Sequence, residues 1–166
     1  MKVYLAGPDV FRSNAEEFGE SLKYICKKNK VQGLWPLDNE IKGKNKSKKK
    51  IATEIFLGNV AMIDKCDAVI ANIEAFRGAS VDPGTAFEIG YARALNKPVF
   101  AYDGAHIPIS YKDRVFLMRD IDVLPRDSYP NVEDFGLTEN LMIAIGVESI
   151  SNTFEEALNK AIRSLK

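Results

Sequence analysis

Glu88 stands out among the ionisable residues. It lies in SVDPGTAFEIGYA, residues 80–92, flanked by Phe87 and Ile89. Apolar neighbours limit the hydration of a carboxylate, and a carboxylate in such a place can attack the anomeric carbon of a sugar. Asp82 lies six residues earlier, on an Asp-Pro-Gly turn, where it can face the same pocket. Asp9 follows Gly7-Pro8, and Asp38, Asn39 and Glu40 follow Pro36-Leu37. Carboxylates accept hydrogen bonds from sugar hydroxyls. A phosphate would instead want glycines, backbone N–H groups and cations. By residue type alone, a helix glutamate is more often solvated than catalytic. Both readings of Glu88 stay open on this ground.

The elements that must position these residues follow from periodicity. KVYLAG, stopped by Gly7-Pro8, predicts a first strand. Phe18, Leu22, Ile25 and Cys26 repeat at helical spacing, with Ser13 and Glu16 in a capping-box pattern. VQGLWPLDN predicts a short second strand running into a loop, and IATEIFLGNVAMIDKC a second helix. DAVIANI is a continuous apolar run, as a buried central strand requires. The Glu88 stretch becomes a third helix ended at Asn96, and KPVFAY a fourth strand. Residues 103–136 read as irregular. LTENLMIAIG predicts a short helix, and NTFEEALNKAIRSLK a C-terminal amphipathic helix with Asn152 as its cap. This alternation predicts one α/β domain over residues 1–166. Its form is a doubly wound, flavodoxin- or Rossmann-like parallel sheet flanked by helices. Ligands of such sheets bind beyond the carboxyl ends of the strands, which is where Gly7, Asp9, Asp38, Glu40 and Asp82 fall.

Composition narrows the function classes. The formal net charge is zero over 166 residues, so a nucleic-acid partner is not expected. Cys26 and Cys66 form no CxxC pair and read as small buried side chains. His106 is the only histidine and has no partner at ligand spacing, so no metal is expected. The run KGKNKSKKK, residues 42–50, lacks interleaved aromatics and reads as a solvated loop. No transmembrane stretch or signal-peptide core is visible, which predicts a soluble cytoplasmic protein with no membrane partner.

Five segments in order give a more specific signal. They are VYLAGPDVF at residues 3–11, PLDN at 36–39, NVAMIDKCDAVIANI at 59–73, DPGTAFEIGYA at 82–92 and NLM at 140–142. Together they resemble the nucleoside 2-deoxyribosyltransferases. The resemblance implies that Glu88 is the catalytic nucleophile, that Tyr4 orients it, and that Asp82 holds the far end of the sugar. It implies that Asn140, beside Met142, is supplied by a neighbouring subunit to the sugar 5′-hydroxyl, so that the enzyme is a homo-oligomer. Gly7, Asp9, Asp38, Glu40, Asn59 and Gly84 are the other expected substrate-binding positions. Two of them depart from some relatives: Glu40 stands where some carry a base-reading Gln, and Asn59 where some carry an Asp. Asparagine cannot donate a proton as a carboxylic acid does. The acid for the leaving base is then Asp9, Asp38, Glu40 or water.

The implied reaction is deoxyribosyl transfer between free nucleobases and deoxynucleosides, in salvage or catabolism. It proceeds by a retaining double displacement through a covalent Glu88 ester, with slow hydrolysis on the side and no cofactor. The alternatives are a 2′-deoxynucleoside 5′-monophosphate N-glycosidase and a non-catalytic nucleotide-binding module.

Overall fold

The computed structural model describes residues 1–39, 46–105, 109–120 and 131–166. Five strands form one parallel sheet: β1 (Lys2–Ala6), β2 (Gln32–Leu34), β3 (Ala68–Asn72), β4 (Val99–Tyr102) and β5 (Ser149–Ser151). Their order is β2-β1-β3-β4-β5. Among the described residues six α-helices accompany them: α1 (Ala15–Lys28), α2 (Lys48–Lys65), α3 (Pro83–Ala94), α4 (Tyr111–Asp120), α5 (Leu141–Ala144) and α6 (Phe154–Ser164). This is the doubly wound sheet that the sequence predicts. The chain turns outward from β1 to β2 and then returns to β3 on the other side of β1. The crevice between β1 and β3 is therefore the topological switch point, where such folds bind ligands.

Strand alternation sets the two faces. Val3, Leu5, Ile70 and Phe100 point toward α1 and α6, where they meet Leu22, Cys26, Phe154 and Leu158. Tyr4, Ala6, Val69, Ala71 and Ala101 point the other way, toward Ile63 of α2, Ile89 of α3 and Ile143 of α5. A tyrosine at position 4 thus faces the helices that carry Asn59 and Glu88. One residue of register slip would turn it to the opposite face.

Several local expectations need correction. Residues 103–136 are not all irregular, because α4 forms within them. The strand β5 has no apolar run to announce it; SIS pairs with β4 through Phe100–Ser149 to Tyr102–Ser151. Helix α1 starts after Asn14 with no side-chain cap, so Ser13 caps nothing. A 3₁₀ turn at Pro8–Phe11 leads almost directly into α1 and takes up the preceding backbone. Thr153, not Asn152, caps α6: its Oγ1 accepts the Glu156 N–H, and Glu156 accepts the Asn152 N–H in return. Lys48–Lys50 are not loop but the first turn of α2, and Lys46 pairs with Glu54. Residues 42–45 and His106 lie outside the described residues.

The expectations for Asn96 and for the two cysteines hold. Asn96 ends α3 in the left-handed region, with φ of 56°. Cys26 and Cys66 are buried and free. Burial pushes the Cys26 thiol up to about 12, so it carries no thiolate chemistry at neutral pH. Among the described residues no helix is long and apolar enough to cross a membrane. No group of three or more His, Cys, Asp or Glu is placed there to hold a metal ion.

The turn after β1 depends on Gly7. Its φ is 153°, and a Cβ there would stand 2.8 Å from the Asn72 Cβ. Gly7→Ala is expected to cost about 2–4 kcal/mol, combining an unfavourable φ with overpacking. Chemical denaturation checks this, and a change below about 1 kcal/mol would show that the turn can relax.

Candidate active site

Three elements converge on Glu88. Pro83 opens α3 at its first helical position, and Asp82 caps it by accepting the Thr85 N–H at 2.9 Å and the Thr85 hydroxyl at 3.1 Å. This places Glu88 between one and two turns into α3. Tyr4, in the middle of β1, donates its hydroxyl to Glu88 Oε1 at 2.6 Å. Asn59, on α2, donates Nδ2 to the same oxygen at 3.4 Å. The other oxygen, Oε2, takes no hydrogen bond from the described residues.

The electrostatics follow from this arrangement. Burial disfavours the Glu88 carboxylate and raises its pKa to about 7; the Tyr4 hydrogen bond opposes that rise, the nearby Asp82 charge adds to it, and Asn59 opposes it. Burial, followed by the Glu88 charge, pushes the Tyr4 phenol far above its ordinary value. Tyr4 therefore remains a hydrogen-bond donor at any physiological pH. A carboxylate that titrates near neutrality inside a cleft is the sort of group that active sites use.

Glu88 opens into a cavity of about 340 Å³, within the range of small-ligand sites. Asp82, Thr85, Asn59 and Glu88 make its polar end. Val10, Phe11, Leu37 and Ile55 make an apolar wall, completed by Gly7, Pro36, Asn39 and Gly84. Phe11 is braced from behind: its ring stacks on Phe76 at 5.3 Å, and the Arg77 guanidinium lies 5.1 Å from one ring centre and 4.5 Å from the other. The Arg77 backbone is left-handed, with φ of 53°. Asn39 is pinned where α2 carries Gly58, since a Cβ at position 58 would overlap its amide. A polar end with two carboxylates and a flat apolar wall suit a sugar joined to an aromatic base.

The expected site residues divide into four groups. Glu88, Asp82, Gly7, Gly84 and Asn59 line this cavity, and Tyr4 reaches it through its hydrogen bond to Glu88. Asp9 and Asp38 do not line it, contrary to expectation. Asp9 is buried and spends its oxygens on Arg12 at 2.5 Å, Asn72 at 2.8 Å and Tyr102 at 3.4 Å. It ties the ends of β1, β3 and β4 together beneath the site. Asp38 bonds Lys23 at 2.6 Å and the Trp35 N–H at 3.3 Å. Glu40 lies outside the described residues. Asn140 and Met142 line a different cavity, of about 620 Å³, that shares no residue with the first. There Asn140 caps α5 by accepting the Met142 N–H at 3.0 Å, and it donates to Glu133 at 2.9 Å. Met142 is 73% exposed.

The apolar wall went unnoticed in the sequence. Ile55 and Asn59 are four apart on a helix, so they share a face, and that spacing could have flagged Ile55. Phe11 and Leu37 carry no such signal.

A family model described as nucleoside 2-deoxyribosyltransferase matches residues 3–142. The solved 2-deoxyribosyltransferase of Leishmania mexicana is 32% identical, with a TM-score of 0.74, covering 98% of this chain and 97% of that one. A 2-deoxyribosyltransferase of Bacillus psychrosaccharolyticus shares the fold at 19% identity and a TM-score of 0.62, covering 96% and 91%. An uncharacterised protein of Schizosaccharomyces pombe is 40% identical over 111 residues, which cover 64% of this chain and 52% of that protein. The chain thus spans about half the length of that curated relative. With a match running from β1 to α5 and a full-length structural counterpart at 32% identity, the chain belongs to the nucleoside 2-deoxyribosyltransferase family.

Proposed function

We propose that the protein moves a 2-deoxyribosyl group from a deoxynucleoside to a free nucleobase, with Glu88 as the nucleophile. The observation that carries this reading is the Glu88–Tyr4 pair at the head of the cavity. One oxygen is tied to Tyr4 at 2.6 Å, and Oε2 is left to react. In the first step Oε2 bonds to C1′ while the C1′–N bond breaks, and its electron pair leaves with the base. The departing base takes up a proton. Asp82 is occupied as a helix cap, Asn59 has no proton of that kind, and Asp9 and Asp38 are held by Arg12, Asn72 and Lys23, which leaves Glu40 or water to deliver it. In the second step the nitrogen of an incoming base attacks C1′ as its N–H proton passes to the group that supplied the first, the ester bond breaks, Glu88 is regenerated as the carboxylate, and configuration is retained. Water in place of the base gives hydrolysis. The Glu88 charge favours the cationic character of the sugar in both transition states.

The sugar sits at the polar end under this reading, and the base lies against Phe11, Leu37 and Ile55. Under this reading Asn140, which in its own chain lines the second cavity, serves another copy's site, as the family resemblance implies. The nucleoside reading is preferred over a monophosphate one because Arg12 is already committed. It bonds Asp9 and lies 4.4 Å from the Phe18 ring centre.

The test is a base-exchange panel, with deoxyinosine or thymidine as donor and each natural base as acceptor. Faster cleavage of a deoxynucleoside monophosphate than of the nucleoside would sink the reading. A second expectation concerns pH. Glu88 must be ionised to attack, so kcat/KM is expected to fall about tenfold per pH unit below its pKa of about 7. An acid limb near the usual carboxylate value would mean that another group governs activity.

A further inference from the structure

One buried charge is not used by the reaction above. Glu139 is 1% exposed, in the loop before α5. Its Oε1 accepts from the Ser80 hydroxyl at 2.6 Å and from the Asn140 N–H at 2.8 Å. Its Oε2 accepts the Val81 N–H at 3.2 Å, with Arg114 Nη2 at 3.7 Å. Arg114, on α4, is itself 6% exposed. A buried carboxylate is costly unless it is paired and fully hydrogen-bonded, and this one is.

Its donors lie at two places of interest. Ser80 and Val81 immediately precede Asp82, the cap of α3 and a wall of the Glu88 cavity. Asn140 starts α5 and lines the second cavity. One carboxylate, 58 residues from Val81 in sequence, therefore sets the backbone that aims Asp82. It also sets the backbone that presents Asn140.

We propose that Glu139 is a positioning residue for deoxyribosyl transfer: it holds the Ser80–Val81 turn so that Asp82 meets the sugar. This rests on the transferase reading of Glu88. The effect falls on substrate binding and not on the chemical step, because Glu139 bonds neither Glu88 nor Tyr4. Glu139→Gln keeps the shape but turns an N–H group toward one of its donors and removes the charge opposite Arg114. A misaimed polar contact of this kind costs about tenfold or more.

The test is steady-state kinetics with a deoxynucleoside donor and a free base, at a temperature where every variant is folded. Glu139→Gln is expected to raise the donor KM about tenfold and to change kcat less than about threefold. Ser80→Ala, which removes one bond and keeps the charge pair, is expected to raise it a few-fold. Leu158→Ala is the control, since it lies in the core on the opposite face of the sheet and lowers stability without touching the turn. A wild-type KM in folded Glu139→Gln overturns the proposal, as does an equal KM rise in Leu158→Ala. Should Glu139→Gln fail to fold, Ser80→Ala decides by the same KM criterion. Glu88→Gln, run alongside, separates the two failures. If it is inactive while Glu139→Gln behaves as wild type, only the positioning role falls. If it retains exchange, or if the wild type shows none, the transferase reading falls and the positioning role falls with it.

Discussion

Glu88→Gln is expected to abolish base exchange and, at neutral pH, to stabilise the protein. The loss of activity follows from the chemistry. An amide cannot form the ester, so the rate should fall at least about 10⁴-fold, toward the level given by binding alone. The gain in stability follows from linkage. The Glu88 pKa is about 7 in the folded protein against 4.5 unperturbed. A raised folded pKa means that the contribution to stability is fully present below pH 4.5 and is lost as pH rises through 7. At pH 8 the ionised group therefore costs the fold up to about 3 kcal/mol. Gln removes that charge and can still accept the Tyr4 hydrogen bond at its oxygen. The variant should melt several degrees above wild type at pH 8. The difference should vanish near pH 4.5. Thermal melts across that range test the claim independently of the assay. Equal melting temperatures at pH 8 would mean that Glu88 is better solvated than its burial implies. Such a cost is common where a site is built for reaction and not for stability.

What the sequence could and could not reveal has a physical pattern. The sheet was legible because β1, β3 and β4 are continuous apolar runs, and a parallel sheet buried on both faces demands such runs. The Tyr4–Glu88 pairing was legible only through family resemblance, since nothing local says that residue 4 meets residue 88. The strand β5 was not legible, because SIS has no apolar pattern and gains its conformation by pairing with β4. Asp9 and Asp38 were placed on the right rim, but a carboxylate's neighbours decide whether it faces substrate. Arg12, Asn72, Tyr102 and Lys23 claim these two. Glu139 had no signal at all, since its donors at Ser80 and Val81 are more than fifty residues away. Apart from Arg12, three residues from Asp9, the missing partners are distant in sequence: a backbone strand for β5 and side chains or turns for the rest.

Tyr4→Phe should shift the pH dependence of activity and not merely its height. Phe fills the same space on the buried face of β1, so the core survives. What disappears is the 2.6 Å hydrogen bond to Glu88 Oε1, leaving that oxygen with Asn59 at 3.4 Å alone. A hydrogen bond to a charged group contributes about 1.5–3 kcal/mol, so the Glu88 pKa should rise by about one to two pH units. The acid limb of kcat/KM then moves upward from about 7. At pH 7, where Glu88 is half ionised in the wild type, this shift should drop the rate about 5- to 50-fold, and part of it should return as pH is raised. The part that does not return measures how far Tyr4 aims the carboxylate. Stability responds with the same sign. The folded pKa rises further, so more stability is lost as pH increases, and the variant should match wild type near pH 4.5 yet melt lower at pH 8. A purely structural tyrosine would lower activity by one factor at every pH. A limb that stays near 7 in Tyr4→Phe would therefore remove Tyr4 from the tuning of the nucleophile and leave it as core alone.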